Sequence, residues 1–403
     1  MATWARRASS RPTSHPSLQR RWAFYVVTTF LVMSMLEGAF YGLLGFIPKH
    51  WYYTPPTREA FLHYLTSAID WEFGWRPEPH ELSAAGYRHA PAGAGLATPC
   101  IALYGDSFTF GYDVPPEFAW GNLLTERLGC RVDNYGVVGY GTDQAYLYFK
   151  HHHEHGLDKA PVVILSHLSE NIVRNITQDF GLIYQTPLAL KPRFVLEPTG
   201  ALRLISMPRL APADYDAYRH DMRQFLHAEY LLPSQSVLSK RRIFCPYVIT
   251  VPYLFTYKRI YASLLSYAFD VPPWFAELYD PAHPSHALQV TRDILLHFDT
   301  EARRDGKRPL IFVIPTARDM VYFHRTQQWS YTSLLTMLHD HGVSQAINLG
   351  PLLLAKVQDG DICEYFCTNR TTRSGHFTVK GNRVLAEVAW EVIERLGGLA
   401  ALN

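Results

Sequence analysis

From residue 100 onward, the chain alternates short strand-like runs with amphipathic stretches of helical period. The runs predict strands at Cys100–Tyr104, Arg131–Asn134, Pro161–Leu165, Pro309–Ile314 and Ala346–Leu349. The amphipathic stretches predict helices at Phe118–Leu128, Asp143–His155, Val290–Arg304, Trp329–His341 and Val379–Leu396. Because strands that alternate with helices pair in parallel, the pattern predicts an α/β fold with a parallel sheet of about five strands.

The alternation breaks between residues 177 and 287, where prolines and tyrosines are frequent. This segment is several times longer than an ordinary connection between elements. We therefore interpret residues 177–287 as an insertion, either a cap or a partner-binding subdomain, which divides the core into residues 100–176 and 288–403. Its apolar stretch Ile243–Tyr257 is too short and too interrupted by proline to span a bilayer. We therefore favour a place for this stretch in the core of the insertion, and contact with a membrane surface or a partner is the alternative.

The N-terminal pattern predicts a membrane anchor. Residues 1–21 carry five arginines and no acid, and the apolar run Trp22–Ile47 follows them. At about 1.5 Å per residue this run crosses a hydrocarbon core of roughly 30 Å, and it is longer than the apolar part of a cleaved signal peptide, the alternative interpretation. Because the arginines precede the run, we expect a cytoplasmic tail, one span of the inner membrane, a linker over residues 48–99 and a periplasmic main domain.

One ionisable side chain, that of Glu37, interrupts this apolar run. A charge at the centre of a membrane span costs about 2.5–3.5 kcal/mol on insertion scales unless it reaches water or meets a partner. Two interpretations stay open. Either Glu37 lies near the membrane interface, or it contacts a polytopic membrane protein.

Composition narrows the class of protein. The 403 residues carry a formal net charge of +2, with 18% charged and 14% aromatic residues, which excludes a disordered chain and a general coat for nucleic acid. Cys363 and Cys367 are spaced for a local disulfide in an oxidising compartment, and the odd total of five cysteines leaves at least one without a partner in the chain. We expect no nucleic-acid partner and no cofactor.

The candidate chemistry begins directly after the first predicted strand, in the run Gly105–Gly111, which reads GDSFTFG. A serine at the carboxyl end of a parallel strand, in a glycine-flanked turn, projects its hydroxyl where α/β folds bind ligands. The N–H groups of the following helix can stabilise an oxyanion at the same place. Ser107 is therefore a candidate nucleophile, whereas GDS alone would also fit an ordinary capped loop.

Three further positions follow other predicted elements. The run Asn134–Asp143 contains Gly139 among glycines that allow close approach of the backbone, as a loop of oxyanion donors requires. The third strand ends near Asn171, whose side-chain amide can donate to a developing oxyanion. Near the C-terminus, His376 precedes the last helix, where its imidazole would face Ser107 as a general base.

These segments, in this order, resemble the SGNH hydrolase family, also called GDSL-like esterases. The resemblance covers roughly residues 104–386 outside the insertion and is strongest over Gly105–Gly111 and Asn134–Asp143. It implies a flavodoxin-like three-layer α/β/α sandwich. The site that it implies has Ser107 as nucleophile, His376 as base, and Ser107 N–H, Gly139 N–H and the Asn171 side chain as oxyanion donors.

Two departures from the family pattern concern the acid and the third motif. The family usually has an aspartate three residues before the histidine, and this chain has Arg373 there. The candidates for an orienting acid are Asp361 and Glu364, and a serine–histidine dyad is the alternative. After the third strand, the chain lacks the Gly-x-Asn-Asp motif that is usual in the family. Glu170 and Asn171 are therefore alternative candidates for the oxyanion position.

The run from His151 to His155 suggests a metal site, because these two histidines lie one turn apart on a predicted helix. A solvated cationic helix end explains the same residues, and we expect no metal.

Two functions are consistent with these patterns. The first is a serine esterase or O-acyltransferase that acts on acyl esters, acetyl esters in particular, of an extracytoplasmic carbohydrate through a Ser107 acyl-enzyme. The resemblance also implies a polytopic membrane acyltransferase as a partner. The second is a catalytically impaired scaffold of a membrane complex, which Arg373, Glu37 and the insertion favour.

Overall fold

A parallel sheet of five strands lies at the centre of the fold, as the alternating pattern predicts. The computed structural model describes residues 18–67, 69–77, 79–83, 86–184, 186, 188–265, 269, 271–357, 361–368 and 375–399. The strands of this part are β1 (Tyr52–Tyr53), β2 (Pro99–Gly105), β3 (Arg131–Gly136), β4 (Val162–Leu168), β5 (Arg193–Leu196), β6 (Leu202–Ile205), β7 (Arg241–Arg242), β8 (Arg308–Ile314) and β9 (Ala346–Asn348). The sheet order β3-β2-β4-β8-β9 is the flavodoxin-like order in which the first core strand stands second.

Helices connect these strands and cover both faces of the sheet. They are α1 (Leu18–Leu43), α2 (Arg58–Thr66), α3 (Ser107–Phe110), α4 (Trp120–Leu128), α5 (Thr142–Glu154), α6 (Asn171–Arg174), α7 (Tyr215–His220), α8 (Tyr247–Tyr253), α9 (Lys258–Leu265), α10 (Ala287–Arg304), α11 (Ala317–Thr326), α12 (Thr332–Asp340), α13 (Gly350–Lys356), α14 (Ile362–Phe366) and α15 (Val379–Arg395). The predicted α/β class and five-stranded sheet are therefore confirmed, and the helix ends differ from the prediction by a few residues.

Alternate residues of the core strands enter two different cores, because successive side chains of a strand point to opposite faces. Tyr104 and Val163 belong to the core beneath α5, α10 and α12, whereas Leu103 and Ile164 belong to the core beneath α4 and α15. Both faces of the sheet are covered, which explains why β2, β4 and β8 are mostly apolar.

β4 extends three residues beyond its predicted end at Leu165, through two polar residues that are fully buried. His167 Nδ1 lies 2.7 Å from Thr142 Oγ1, and His167 Nε2 lies 2.9 Å from the hydroxyl oxygen of Tyr279. These partners come from other elements of the fold. The predicted end of β4 was therefore too early. Polar residues suggested that the strand stops at Leu165, but their hydrogen bonds to other elements allow it to continue while buried.

Residues 177–287 add no strand to the central sheet in the described part of the chain. β5 and β6 form an antiparallel pair, and β7 pairs in parallel with β1, which follows the N-terminal helix. A fully buried ion pair between Lys191 Nζ and Asp143 Oδ2, 2.5 Å apart, joins this segment to the start of α5. The segment is therefore fixed to the core by a charged contact as well as by apolar packing.

The N-terminal helix α1 has no buried residue and continues into a 3₁₀ turn at Leu44–Phe46. It is long and apolar enough to cross a membrane. The predicted apolar run starts at Trp22, and the helix also includes the four residues before it, Leu18 to Arg21.

We expect Lys191→Met to lower the free energy of unfolding by about 3–5 kcal/mol, because it leaves the Asp143 carboxylate buried without its partner. Urea unfolding of the detergent-solubilised chain measures this. Arg223→Met is the matched control, since Arg223 pairs with Asp221 at the surface, where solvent screens the ion pair. Equal losses in the two variants would contradict the role of the buried pair.

Stability should fall in mild acid. Burial lowers the pKa of His167 to about 3 and that of His152 to about 3, whereas an unfolded histidine has a pKa of about 6.5. The unfolded chain therefore binds more protons below about pH 6.5, and each histidine removes up to about 1.4 kcal/mol of stability per pH unit down to about pH 3. His152→Gln should reduce the slope of unfolding free energy against pH between about pH 6 and pH 5. An unchanged slope would show that His152 is not buried as the neutral form.

Candidate active site

Ser107 lies at the turn from the central strand β2 into α3 and is 2% exposed. Asp106 caps the helix, because its Oδ1 accepts a hydrogen bond of 2.9 Å from the N–H of Phe108. The turn requires a glycine before it, since a Cβ on Gly105 would lie 2.1 Å from Thr109 Oγ1. The local sequence therefore fixes the serine at the carboxyl edge of the sheet.

A line of hydrogen bonds joins Ser107, His376 and Asp113. Ser107 Oγ lies 2.9 Å from His376 Nε2, and His376 Nδ1 lies 2.9 Å from Asp113 Oδ2. A carboxylate at Nδ1 favours the imidazole tautomer with its hydrogen on Nδ1, which leaves Nε2 ready to accept the serine proton. The histidine and aspartate side chains are 22% and 35% exposed, so that solvent reaches this line from one side.

Neighbouring groups hold His376 in this position. Thr368 Oγ1 donates to Asp113 Oδ2 at 2.8 Å and accepts from the N–H of His376 at 3.1 Å. The rings of Phe108 and Tyr112 flank the imidazole, with centroids 5.0 Å and 5.1 Å from its own. The imidazole is therefore held by both polar and aromatic contacts.

A buried arginine, Arg88, holds the loop that carries Asp113. Its guanidinium donates to the carbonyl oxygens of Phe110, Gly111 and Val114, and its carbon Cζ lies 4.2 Å from the ring centroid of Phe110. Asp113 itself has φ 69°, a left-handed conformation that aspartate tolerates better than most residues. Arg88 is thus a positioning residue for the carboxylate.

The expected orienting acids do not reach the histidine. Asp361 Oδ1 accepts from the N–H of Cys363 at the start of α14, and Glu364 pairs with Lys380 at 3.1 Å. Asp113 replaces them as the carboxylate at the imidazole, which corrects the expectation. Arg373 lies outside the described residues.

Sequence patterns do not identify Asp113, because the family pattern places the acid close to the histidine in sequence. The available signal was its place in the nucleophile loop, six residues after Ser107, directly beyond the run Gly105–Gly111. An acid so close to the nucleophile in sequence can reach a histidine that is itself within hydrogen-bonding distance of the serine.

Asn171, rather than Glu170, lies beside the nucleophile loop. Asn171 Nδ2 donates to Asp106 Oδ2 at 3.0 Å, and this amide has a second hydrogen to donate. Glu170 instead accepts from the hydroxyl of Tyr184 at 3.2 Å and lies 3.8 Å from Arg259, both in the insertion. The structure therefore separates the two candidates, because Asn171 contacts the loop of Ser107 and Glu170 contacts the insertion.

Gly139 adopts φ 84°, which favours glycine, and aromatic rings close over it. A Cβ at this position would lie 3.2 Å from the ring of Trp75 and 3.3 Å from that of Phe180. Its N–H has no hydrogen-bond acceptor among the described residues. Arg174 links this loop to the nucleophile, since it donates to the carbonyl of Tyr140 at 2.7 Å and lies 3.4 Å from Asp106.

The histidines of α5 have separate partners. His151 Nδ1 lies 3.0 Å from Glu72, His153 pairs with Asp305 at 2.8 Å, and His155 stacks on His151. His152 points into the core against Tyr135, at a centroid distance of 4.3 Å. In the part of the chain that the structure describes, no three potential ligands gather to hold a metal ion.

Comparisons with known proteins yield likenesses of structure only. No family model matches the chain, and no curated protein matches it. Similar solved structures include a G-D-S-L family lipolytic protein from Desulfitobacterium hafniense DCB-2, at 10% identity and a TM-score of 0.34, covering 73% of this chain and 99% of that one. Another G-D-S-L family protein, from Veillonella parvula DSM 2008, has 13% identity and a TM-score of 0.36, covering 74% of this chain and 100% of that one.

A third solved structure, an SGNH-hydrolase family esterase, is 23% identical over 19% of this chain and 44% of that one, with a TM-score of 0.18. These structural neighbours are proteins of the GDSL or SGNH hydrolase family, the family that the motifs resemble.

Asp113→Asn tests the carboxylate. We expect kcat for a short aryl ester to fall by about 10²- to 10⁴-fold with little change in KM, because the amide no longer stabilises the imidazolium that forms in the transition state. Asp361→Asn and Glu364→Gln are the matched controls and should retain wild-type rates. A loss of activity in either control, with Asp113→Asn unaffected, would restore the acids that the sequence suggested.

Proposed function

We propose that the chain is a serine esterase or O-acyltransferase that works through an acyl-enzyme on Ser107. The observation that carries this proposal is the line of hydrogen bonds from Ser107 through His376 to Asp113. A serine is activated when it lies within hydrogen-bond reach of a base that is in turn oriented by an acid, and these three residues have that arrangement.

The residues divide the reaction between them. His376 Nε2 takes the proton of Ser107 as the hydroxyl oxygen attacks the ester carbonyl, and Asp113 stabilises the imidazolium. The negative charge of the tetrahedral intermediate is received by the N–H groups of Ser107 and Gly139 and by the amide of Asn171. His376 then returns the proton to the departing alcohol, which leaves an acyl-serine and a free hydroxyl.

The second half of the reaction reverses these roles. His376 removes a proton from water or from an acceptor hydroxyl, whose oxygen attacks the acyl-serine, and Ser107 recovers its proton from the imidazolium. Water as the acceptor gives an esterase, and a sugar hydroxyl gives a transferase. The same residues serve both outcomes.

We take a short acyl group, acetyl, as the group transferred. The rings of Trp75 and Phe180 lie against Gly139, one of the proposed oxyanion donors, which supports a small acyl group. A carbohydrate as the rest of the substrate, and a polytopic acyltransferase as the partner, rest on the family resemblance alone.

We place this activity outside the cytoplasm. Cys100 pairs with Cys130, and Cys363 pairs with Cys367, and disulfides persist in oxidising compartments. The helix α1 provides the anchor, and the arginines that precede it favour a cytoplasmic N-terminus. The catalytic domain would then face the periplasm from the inner membrane.

A fluorophosphonate probe tests the proposal directly. The wild-type chain should be labelled at Ser107 and should hydrolyse p-nitrophenyl acetate faster than the octanoate, whereas Ser107→Ala should lose both labelling and hydrolysis. Phe180→Ala should narrow the preference for acetate by making room for a longer chain. A folded wild-type chain that neither takes the label nor hydrolyses either ester would instead favour the catalytically impaired scaffold.

A further inference from the structure

The apolar stretch that is expected from the sequence in the core of the insertion instead lies against α1 as a hairpin with an exposed outer surface. We call residues 243–257 the hairpin: they leave the charged strand β7, run inward to Pro246, return as α8 and a 3₁₀ turn, and end before Lys258. α8 packs on α1, and the rings of Tyr247 and Tyr41 lie 5.2 Å apart. The hairpin is thus attached to the same helix that suits a membrane span.

The carboxyl group of Glu37 makes the central contact between the two elements. Its Oε1 accepts a hydrogen bond of 2.7 Å from the N–H of Tyr247, and its Oε2 accepts one of 2.9 Å from the N–H of Val248. These N–H groups begin α8 and have no partner within the helix. The side chain that interrupts the apolar run of α1 therefore satisfies two backbone donors of the insertion.

We propose that the hairpin is embedded in the lipid bilayer beside α1, as a re-entrant element that does not cross it. The proposal rests on α1 as the membrane span and goes beyond the catalytic function. Ile47, where the apolar run ends, follows Glu37 by ten residues, which places Glu37 about 15 Å below that end. This is near the middle of a hydrocarbon core of roughly 30 Å.

The length of the return limb agrees with this depth, since Tyr247 to Thr256 has ten helical residues, or about 15 Å. The outer ends of the two limbs lie together, because Arg241 Nε donates to Thr256 Oγ1 at 2.8 Å. Both ends then lie near the membrane surface, and the tip lies beside Glu37.

The outer surface of the hairpin suits acyl chains. Phe244, Ile249 and Phe255 are 59%, 65% and 48% exposed, with no protein surface over them in the described part of the chain. Lipid tolerates irregular backbone only where its polar groups have partners. Thr250 Oγ1 donates to the carbonyl of Phe244 at 2.6 Å, and the N–H groups of Ile249 and Thr250 both lie 3.2 Å from the carbonyl oxygen of Pro246.

The free thiol of Cys245, at the inner end of the hairpin, provides a first test in the natural chain. In sealed proteoliposomes of phosphatidylcholine, a membrane-impermeant maleimide should label Cys245 slowly and label it fully after denaturation in SDS. The matched control is Leu157→Cys in a Cys245→Ser background, since Leu157 is 54% exposed on the main domain. Equally fast labelling of the two thiols in outward-facing protein would overturn the proposal.

Depth-dependent quenching provides the second test. It distinguishes lipid from a partner protein as the material that covers the outer surface of the hairpin. A bimane label on Ile249→Cys, in the Cys245→Ser background, should be quenched by doxyl groups in the acyl chains and not by iodide. A bimane label on Phe30→Cys reports α1 in the same way, and a label on Leu157→Cys should respond only to iodide. If the label at Phe30 is quenched by lipid and the label at Ile249 is not, then α1 spans the membrane but the hairpin is not embedded in it. If neither label is quenched by lipid, then α1 is not a membrane span.

Glu37 variants test the contact that holds the hairpin. Glu37→Leu makes α1 more apolar yet removes both acceptors, so that a bimane label at Ile249→Cys should lose lipid quenching and become accessible to iodide while the Phe30 label stays lipid-quenched. Glu37→Gln keeps one carbonyl acceptor and should give intermediate lipid quenching at Ile249. Unchanged lipid quenching at Ile249 in Glu37→Leu would show that this carboxyl group does not hold the hairpin. Ester hydrolysis by each variant in detergent reports the active site separately.

Discussion

The buried carboxylate of Asp106 is the contact on which the arrangement of the site depends. One of its oxygens caps α3 and so sets the direction of Ser107, and the other accepts from Asn171 and lies 3.4 Å from Arg174. Two elements at the carboxyl edge of the sheet, α3 and α6, are thereby tied to one side chain that is 1% exposed, and Arg174 extends the link to the carbonyl of Tyr140 in the loop of Gly139. A buried carboxylate requires such partners, because an unpaired one would cost several kcal/mol of desolvation. The aspartate of the GDS sequence thus organises the site although it does not contact His376.

The contacts of Asp106 also extend into the insertion. Arg174 reaches the hydroxyl of Tyr184 at 3.2 Å, and Tyr184 in turn donates to Glu170, which Arg259 approaches. Arg259 stands one residue into α9, directly after the hairpin. A continuous set of polar contacts therefore runs from the nucleophile loop to the element that we place in the membrane. This connection would hold the cleft close to the bilayer surface and limit its rotation about the anchor.

Most elements of the fold could be predicted from local sequence patterns. The five core strands and the helices α4, α5, α10, α12 and α15 are recognisable because apolar runs and helical periodicity are local properties that burial then reinforces. The GDSFTFG run and the loop of Gly139 were recognisable for the same reason, since a turn that needs glycine leaves its mark in a few adjacent residues. The sequence alone also indicated a helix long and apolar enough to cross a membrane, and a long segment, residues 177–287, that interrupts the alternation of strands and helices.

Contacts between distant residues decided the rest. Asp113 and His376 are far apart in sequence, and only the packing of two loops at one sheet edge brings the carboxylate to Nδ1. Likewise, Glu37 appeared as an isolated charge in an apolar run until the fold set it against the N–H groups of Tyr247 and Val248. By itself the sequence determined the strands, the helices and the place of the candidate nucleophile, because each depends on neighbouring residues. The orienting acid, the choice of Asn171 over Glu170 and the partner of Glu37 were decided by tertiary structure, because a hydrogen bond needs atoms about 3 Å apart, and sequence spacing does not reveal that distance between elements.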